Sequence, residues 1–227
     1  MVLAAGAAIA SVLSATSASA LLVSVSTNTA NTGDQAEILA PPPSQVMDAT
    51  EYNTAQQGFD EQQYYLLTED LQLDGAVTIA AGTTVHSHMI FLNRENDSSP
   101  NHIAHNNVEW TFSHEVLGVM SDTNGSLEGA SSPFLGATGV RYPTAFTPGG
   151  AGVNGEIFDF RGMEGGGDGY SLINPYVLSV SMYVTQPGDW IRVITAVPLP
   201  AALPLYGAGV ALLGFMGWRR RKSEAAV

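Results

Sequence analysis

Between Tyr64 and Ala196 the chain is a succession of short apolar runs, most of them closed by turn-forming residues. This rhythm limits the fold more than any other feature. The runs are YYLLTEDLQL, AVTIA, TVHSHMIFL, NVEWTF, HEVLGVM, EIFDF, YSLI, YVLSVSMYV and DWIRVITA, and the breakers include Asp74-Gly75, Ala81-Gly82, Asn124-Gly125 and Pro187-Gly188. β-Branched and aromatic residues suit a pleated, half-buried surface, while Gly, Asn and Pro suit reversals. Eight or nine short strands at this spacing predict an all-β fold, an antiparallel β-sandwich or jelly-roll-like domain over 64–196. One short helix is expected near Ser126 to Ser131. Residues 21–63 are rich in Ser, Thr, Asn, Gln and Pro, include Pro41-Pro42-Pro43, and read as a flexible lead-in.

Both ends of the chain carry long uncharged stretches. MVLAAGAAIASVLSATSASA ends in Ala18-Ser19-Ala20, the A-x-A pattern of a signal-peptidase site, so 1–20 read as a signal peptide cut between Ala20 and Leu21. At the other end, Ala201 to Trp218 is free of charge. At about 1.5 Å per residue its 18 residues span roughly 27 Å, enough for a thin bilayer. Tyr206 and Trp218 suit interface positions. Arg219, Arg220, Arg221 and Lys222 form a basic stop that holds 223–227 in the cytoplasm.

Charge sorts the possible partners. Met1 to Pro200 holds twenty acidic residues against four arginines and no lysine, whereas the last nine residues hold four cations and one acid. The body is thus near −16 and would repel a phosphate backbone, which argues against nucleic acid. The chain has no cysteine, so disulfides, thiolate metal sites and thiol catalysis are excluded together.

The order of elements at the C-terminus resembles the tripartite PEP-CTERM sorting signal, in its VPLPA-CTERM variant. Val197, Pro198, Leu199, Pro200 and Ala201 match the motif, Leu203 to Trp218 fills the hydrophobic helix, and Arg219 to Lys222 fills the basic end. Pro198 and Pro200 oppose helix just outside the membrane and keep the segment extended. The resemblance implies an exosortase substrate of a Gram-negative bacterium. Such a protein is held transiently in the inner membrane, cleaved near the motif, and delivered to the cell surface or an exopolysaccharide biofilm matrix. Three phrases of the body are also similar to exported PEP-CTERM proteins: SHMIFLN from Ser87, VLGVMSD from Val116 and GDWIRV from Gly188. They imply an all-β exported domain and bring no catalytic residue.

Several residues offer chemistry on their own. Alternation along TVHSHMIFL puts His86 and His88 on one strand face, and all five histidines lie within 29 residues, so His86, His88 and His114 are candidate metal ligands. Sheet-face or loop histidines satisfied by hydrogen bonds are the alternative. A calcium ion between loops would draw on Asp122, Asp159, Glu164 or Asp168. Glu109 and Glu115 are candidates for the paired acids of a glycosidase, although nothing singles them out among twenty carboxylates. Trp110 and Trp190 read as packing anchors or as sugar-stacking platforms. G-x-S-x-G, H-E-x-x-H and P-loop motifs are absent. The expectation is therefore an exported surface or matrix protein with a non-catalytic glycan-binding, matrix-binding or structural body. A metal-binding protein or metalloenzyme using His-x-His, and a carbohydrate-active enzyme, stand as alternatives.

Overall fold

A computed structural model of the chain describes residues 22–26, 34–47, 53–94, 102–143, 161–184 and 188–198, together with Val210 and Phe215. The signal peptide with its cut at Ala20-Leu21, the EIFDF run, Leu199 to Ala201 and the basic stop lie outside the described residues. Ser19–Val197 forms one compact unit; in the other unit only Pro198, Val210 and Phe215 are described, the last two as helical residues. Among the described residues no helix is long and apolar enough to cross a membrane.

The body is mostly β, mainly antiparallel, with one short α-helix. One sheet has four strands in the order β1 (Leu22–Val25), β8 (Ile103–Phe112), β11 (Val177–Val184) and β10 (Gly169–Asn174). The second runs β2 (Glu37–Ile38), β3 (Gln57–Asp60), β7 (Thr84–Leu92), β12 (Asp189–Ala196) and β9 (Val116–Met120), with β4 (Tyr65–Leu66) also paired to β7. β5 (Leu71–Gln72) and β6 (Thr78–Ile79) form a small hairpin. The only parallel contact between these strands joins β2 to β3.

β7 and β12 are central in the larger sheet and almost wholly buried, so the polar residues they carry, among them His86, His88, Arg192 and Thr195, are buried with the apolar ones. Their antiparallel register runs from Asp189 opposite Leu92 to Ala196 opposite Val85. One face supplies Ile90, Leu92, Ile191 and Val193 to an apolar cluster completed from the smaller sheet by Val108, Trp110, Phe112, Leu178 and Val180. The opposite face supplies Val85 and Ile194 to a cluster with Leu71, Leu73 and Leu135. It also supplies Met89, Phe91 and Trp190 to a cluster with Val46 and Phe59. α1 (Ser126–Leu135) and the segments around Val46 and Leu73 thus provide apolar partners for this second face.

Residues 21–63 depart from the expected flexible lead-in. Their described parts contribute β1, β2 and β3, and Val46, Met47 and Phe59 are fully or almost fully buried. Gln56 bonds across to the smaller sheet: its amide donates to the carbonyls of His105 and Val180, both at 3.3 Å, and its Oε1 accepts from Trp110 Nε1 at 3.0 Å. Two residues later, Gly58 lies against the Trp110 ring, where a Cβ would stand 2.5 Å from Cζ3. Polar composition hid this segment, yet Leu22, Ala36, Val46, Met47, Ala55 and Phe59 are buried.

α1 begins where expected and runs past Ser131 to Leu135, retaining Pro133. Asp122 accepts from the Ser126 and Leu127 amides at 2.9 and 2.8 Å, satisfying two of the donors that a helix start leaves open. YYLLTEDLQL, read as one run, instead splits into β4 and β5 around a bend at Thr68-Glu69.

Candidate functional site

The side chains with the greatest chemical capacity collect at one end of β7. His86 and His88 share the face toward the smaller sheet, as alternation predicts, because Ile90 and Leu92 of the same parity belong to the cluster built from both sheets. His88 is completely buried, with Nδ1 2.6 Å from Asp60 Oδ1 and Nε2 3.0 Å from Thr195 Oγ1. A carboxylate only accepts, so Nδ1 carries a proton; in the neutral ring Nε2 accepts from the threonine hydroxyl, and in the protonated ring it donates to it. Asp60 Oδ1 also accepts from the Leu22 amide at 3.0 Å.

This carboxylate, imidazole and hydroxyl line has the connectivity of an activated nucleophile. Access decides against that use. His88 and Thr195 are fully buried, and neither described cleft is lined by any of the three residues. The line instead ties β1 of one sheet to β3, β7 and β12 of the other, with its polar atoms paired in the core.

His86 and His114 do not join His88 around a common point. Their rings stack at 5.6 Å between centroids with 27° between planes, so their in-plane lone pairs do not converge on one ion. His86 Nδ1 accepts from the Tyr64 amide at 3.1 Å, whereas its buried Nε2 has no hydrogen-bond partner. Burial first, and then the neighbouring His88 and His114, lower its pKa to about 4 against an opposing pull from Asp60. His114 is also lowered, chiefly by burial and then by His88, and its Nδ1 lies 2.9 Å from Ser113 Oγ. Among the described residues no group of three or more His, Asp or Glu side chains is arranged to hold a metal ion.

The proposed calcium ligands that are described each have protein partners. Asp122 caps α1, Glu164 pairs with Arg161, and Asp168 accepts from the Tyr183 amide at 2.6 Å. Asp159 lies outside the described residues. The tryptophans are packing anchors: both are fully buried, and Trp190 Nε1 donates to the Val46 carbonyl at 2.9 Å. Glu109 and Glu115 are exposed, on β8 and on the loop before β9.

Sequence reasoning missed the strongest electrostatic feature, which lies on the opposite face of the larger sheet. Arg192 of β12 is fully buried, and its Nε and Nη2 donate to Glu61 Oε2 and Oε1 at 2.7 and 2.9 Å. Nη1 donates to the Glu128 carbonyl and Ser131 Oγ, and Nη2 donates also to Ser132 Oγ, so the guanidinium is fastened beneath α1. Burial opposes its charge, but Glu61 together with Tyr142 and Glu128 outweighs burial and leaves its pKa raised. Glu128 is also fully buried, with both carboxyl oxygens lacking hydrogen-bond partners. Burial, reinforced by Asp122, raises its pKa well above the usual carboxylate value. The only sequence signal was a lone arginine in an apolar strand.

Above this network, a cleft of about 700 Å³ lies between α1 and 136–143, lined by groups including Gln62, Ser132, Thr138 and Tyr142. Among the described residues no charged side chain lines it. At the end of the body, β12 stops at Ala196; Val197 is half-buried and Pro198 is exposed.

These features define a mostly β body with buried polar networks and no described metal cluster. In comparisons with known proteins, the chain matches no family model, no curated protein and no solved structure.

Proposed function

We propose that the chain is an exported cell-surface or exopolysaccharide-matrix protein. Its body is a β-sandwich acting as a non-catalytic glycan-binding, matrix-binding or structural module, and its C-terminus is an exosortase-read VPLPA signal. The observation that carries this reading is the order of motif, uncharged 18-residue stretch and basic cluster from Val197 to Lys222. The exposure of Pro198 directly after β12 supports it, because a processing enzyme needs an extended segment clear of the core.

The non-catalytic part is supported by the use of the reactive residues. His88 and Thr195 are closed off from solvent, and the possible ligands of a metal or calcium ion point to separate partners. The cleft between α1 and 136–143, lined among the described residues by uncharged polar and apolar groups, suits an uncharged ligand better than an ionic one. Retention of native exopolysaccharide by the immobilised protein, with and without calcium, tests the binding reading. Retention blocked by soluble polymer supports it. Absence of retention under every condition removes glycan binding and leaves the structural role.

A further inference from the structure

Between β9 and α1 the chain reverses through Asp122-Thr123-Asn124-Gly125. The Gly125 amide donates to the Asp122 carbonyl at 2.7 Å, and neither Thr123 nor Asn124 has a positive φ, so the corner is a type I turn. Gly125 itself sits at φ 59° and ψ 26°, left-handed backbone that favours glycine. The Asp122 carboxylate then accepts from the Ser126 and Leu127 amides at 2.9 and 2.8 Å and holds the first turn of α1.

The glycine that this backbone favours also makes the turn chemically vulnerable. An asparagine carboxamide is open to attack by the next main-chain nitrogen, and a following glycine, having no side chain, obstructs that attack least. Asn124 is exposed, so water reaches it. Two features of the folded turn withhold the reaction. Gly125 is buried, with its amide proton given to the Asp122 carbonyl. Asn124 is the second central residue of the turn, where ψ lies near about 0° and Cβ is rotated away from the nitrogen with which it must close a five-membered ring.

We propose that Asn124-Gly125 is a self-modification site held in check by the Asp122 cap, converting to aspartate or isoaspartate when the start of α1 opens. The Gly125 nitrogen bonds to Asn124 Cγ, the Cγ–Nδ2 bond breaks, and ammonia leaves with the amide proton. Water then opens the cyclic imide at either carbonyl. One opening gives aspartate; the other gives isoaspartate, which lengthens the main chain by one carbon. Each product adds one negative charge, and the loss of ammonia makes the change permanent. Ser126, two residues on, lines the cleft between α1 and 136–143, so a longer main chain here alters the rim of that cleft.

The full-length chain in detergent is held at mildly alkaline pH, folded or in urea, and then digested with trypsin. Cleavage at Arg94, Arg141 and Arg161 places Asn124 and the chain's other Asn-Gly pair, Asn154-Gly155, in separate peptides. Fragment masses locate the aspartate or isoaspartate formed. Asn124 should convert at least about tenfold more slowly in the folded chain than in urea, because reaction waits on local opening. Asp122→Ala, checked for folding by circular dichroism, should raise the folded-state rate about three- to thirty-fold relative to its own rate in urea, the range set by loss of an N-cap. Asp122→Asn, which keeps one acceptor oxygen, should fall between, and it carries the test where the alanine variant unfolds. Equal rates folded and in urea, cap variants no faster than the parent, or no conversion of Asn124 in urea overturns the proposal.

Discussion

Arg192 and Glu61 form a two-pronged ion pair with neither side chain exposed to solvent, joining β12 to a segment 131 residues earlier. Removing one partner leaves an uncompensated buried charge. Glu61→Gln is therefore predicted to lose about 3–5 kcal/mol of unfolding free energy, and the Glu61→Leu/Arg192→Met double variant to recover much of that loss. Urea unfolding followed by Trp110 and Trp190 fluorescence measures both. A single variant within about 0.5 kcal/mol of the parent would be incompatible with a buried pair.

Glu128 makes the opposite prediction. Its folded pKa is raised, so it contributes best when protonated and weakens the fold as pH climbs from the unfolded carboxyl value toward the folded one. Glu128→Met removes two buried oxygens that lack hydrogen-bond partners and should stabilise the protein by about 1–3 kcal/mol at pH 7. The gain should shrink on acidification, and thermal unfolding at pH 5 and pH 7 compares the two.

For His86 the sign is the reverse of the usual salt-bridged histidine. The folded pKa, about 4, lies below the unfolded value of 6.5, so the unfolded chain binds the extra proton between them. The contribution of His86 is complete above pH 6.5 and is lost as pH falls toward 4. His86→Asn can still accept from the Tyr64 amide but does not titrate, so its stability should vary less with pH across this window than the parent's. An unchanged slope would assign the acid sensitivity to other groups.

Two core substitutions probe the contacts between sheets. Gly58→Ala would put a methyl group 2.5 Å from the buried Trp110 ring, itself held through Nε1, and should cost about 1–3 kcal/mol by overpacking. Thr195→Val keeps the side-chain shape while leaving His88 Nε2 without its hydroxyl donor, for a loss of similar size. Unfolding free energies test both, and an unaltered value for Thr195→Val would contradict the buried hydrogen bond between His88 and Thr195.

The sequence carried the strands of the body because alternation is local. TVHSHMIFL showed both its extent and the shared face of His86 and His88, and HEVLGVM and DWIRVITA lie close to β9 and β12. What escaped was non-local. Asp60 and Glu61 lie in a stretch whose polarity suggested a flexible lead-in, and their roles come from His88 and Arg192, far along the chain. The helix end near Ser131 was placed too early: α1 keeps Pro133, with its last residue, Leu135, in an apolar cluster. Nothing local shows that His88 is occupied on both sides, since Thr195 arrives through the register of β12 against β7.

The account rests most heavily on the fate of the two ends. Mass spectrometry of the mature protein recovered from the cell surface or matrix should find Leu21 at the start and an end near Pro200 or Ala201. Recovery of surface-exposed protein still carrying Arg219 to Lys222 would contradict sorting through the VPLPA signal.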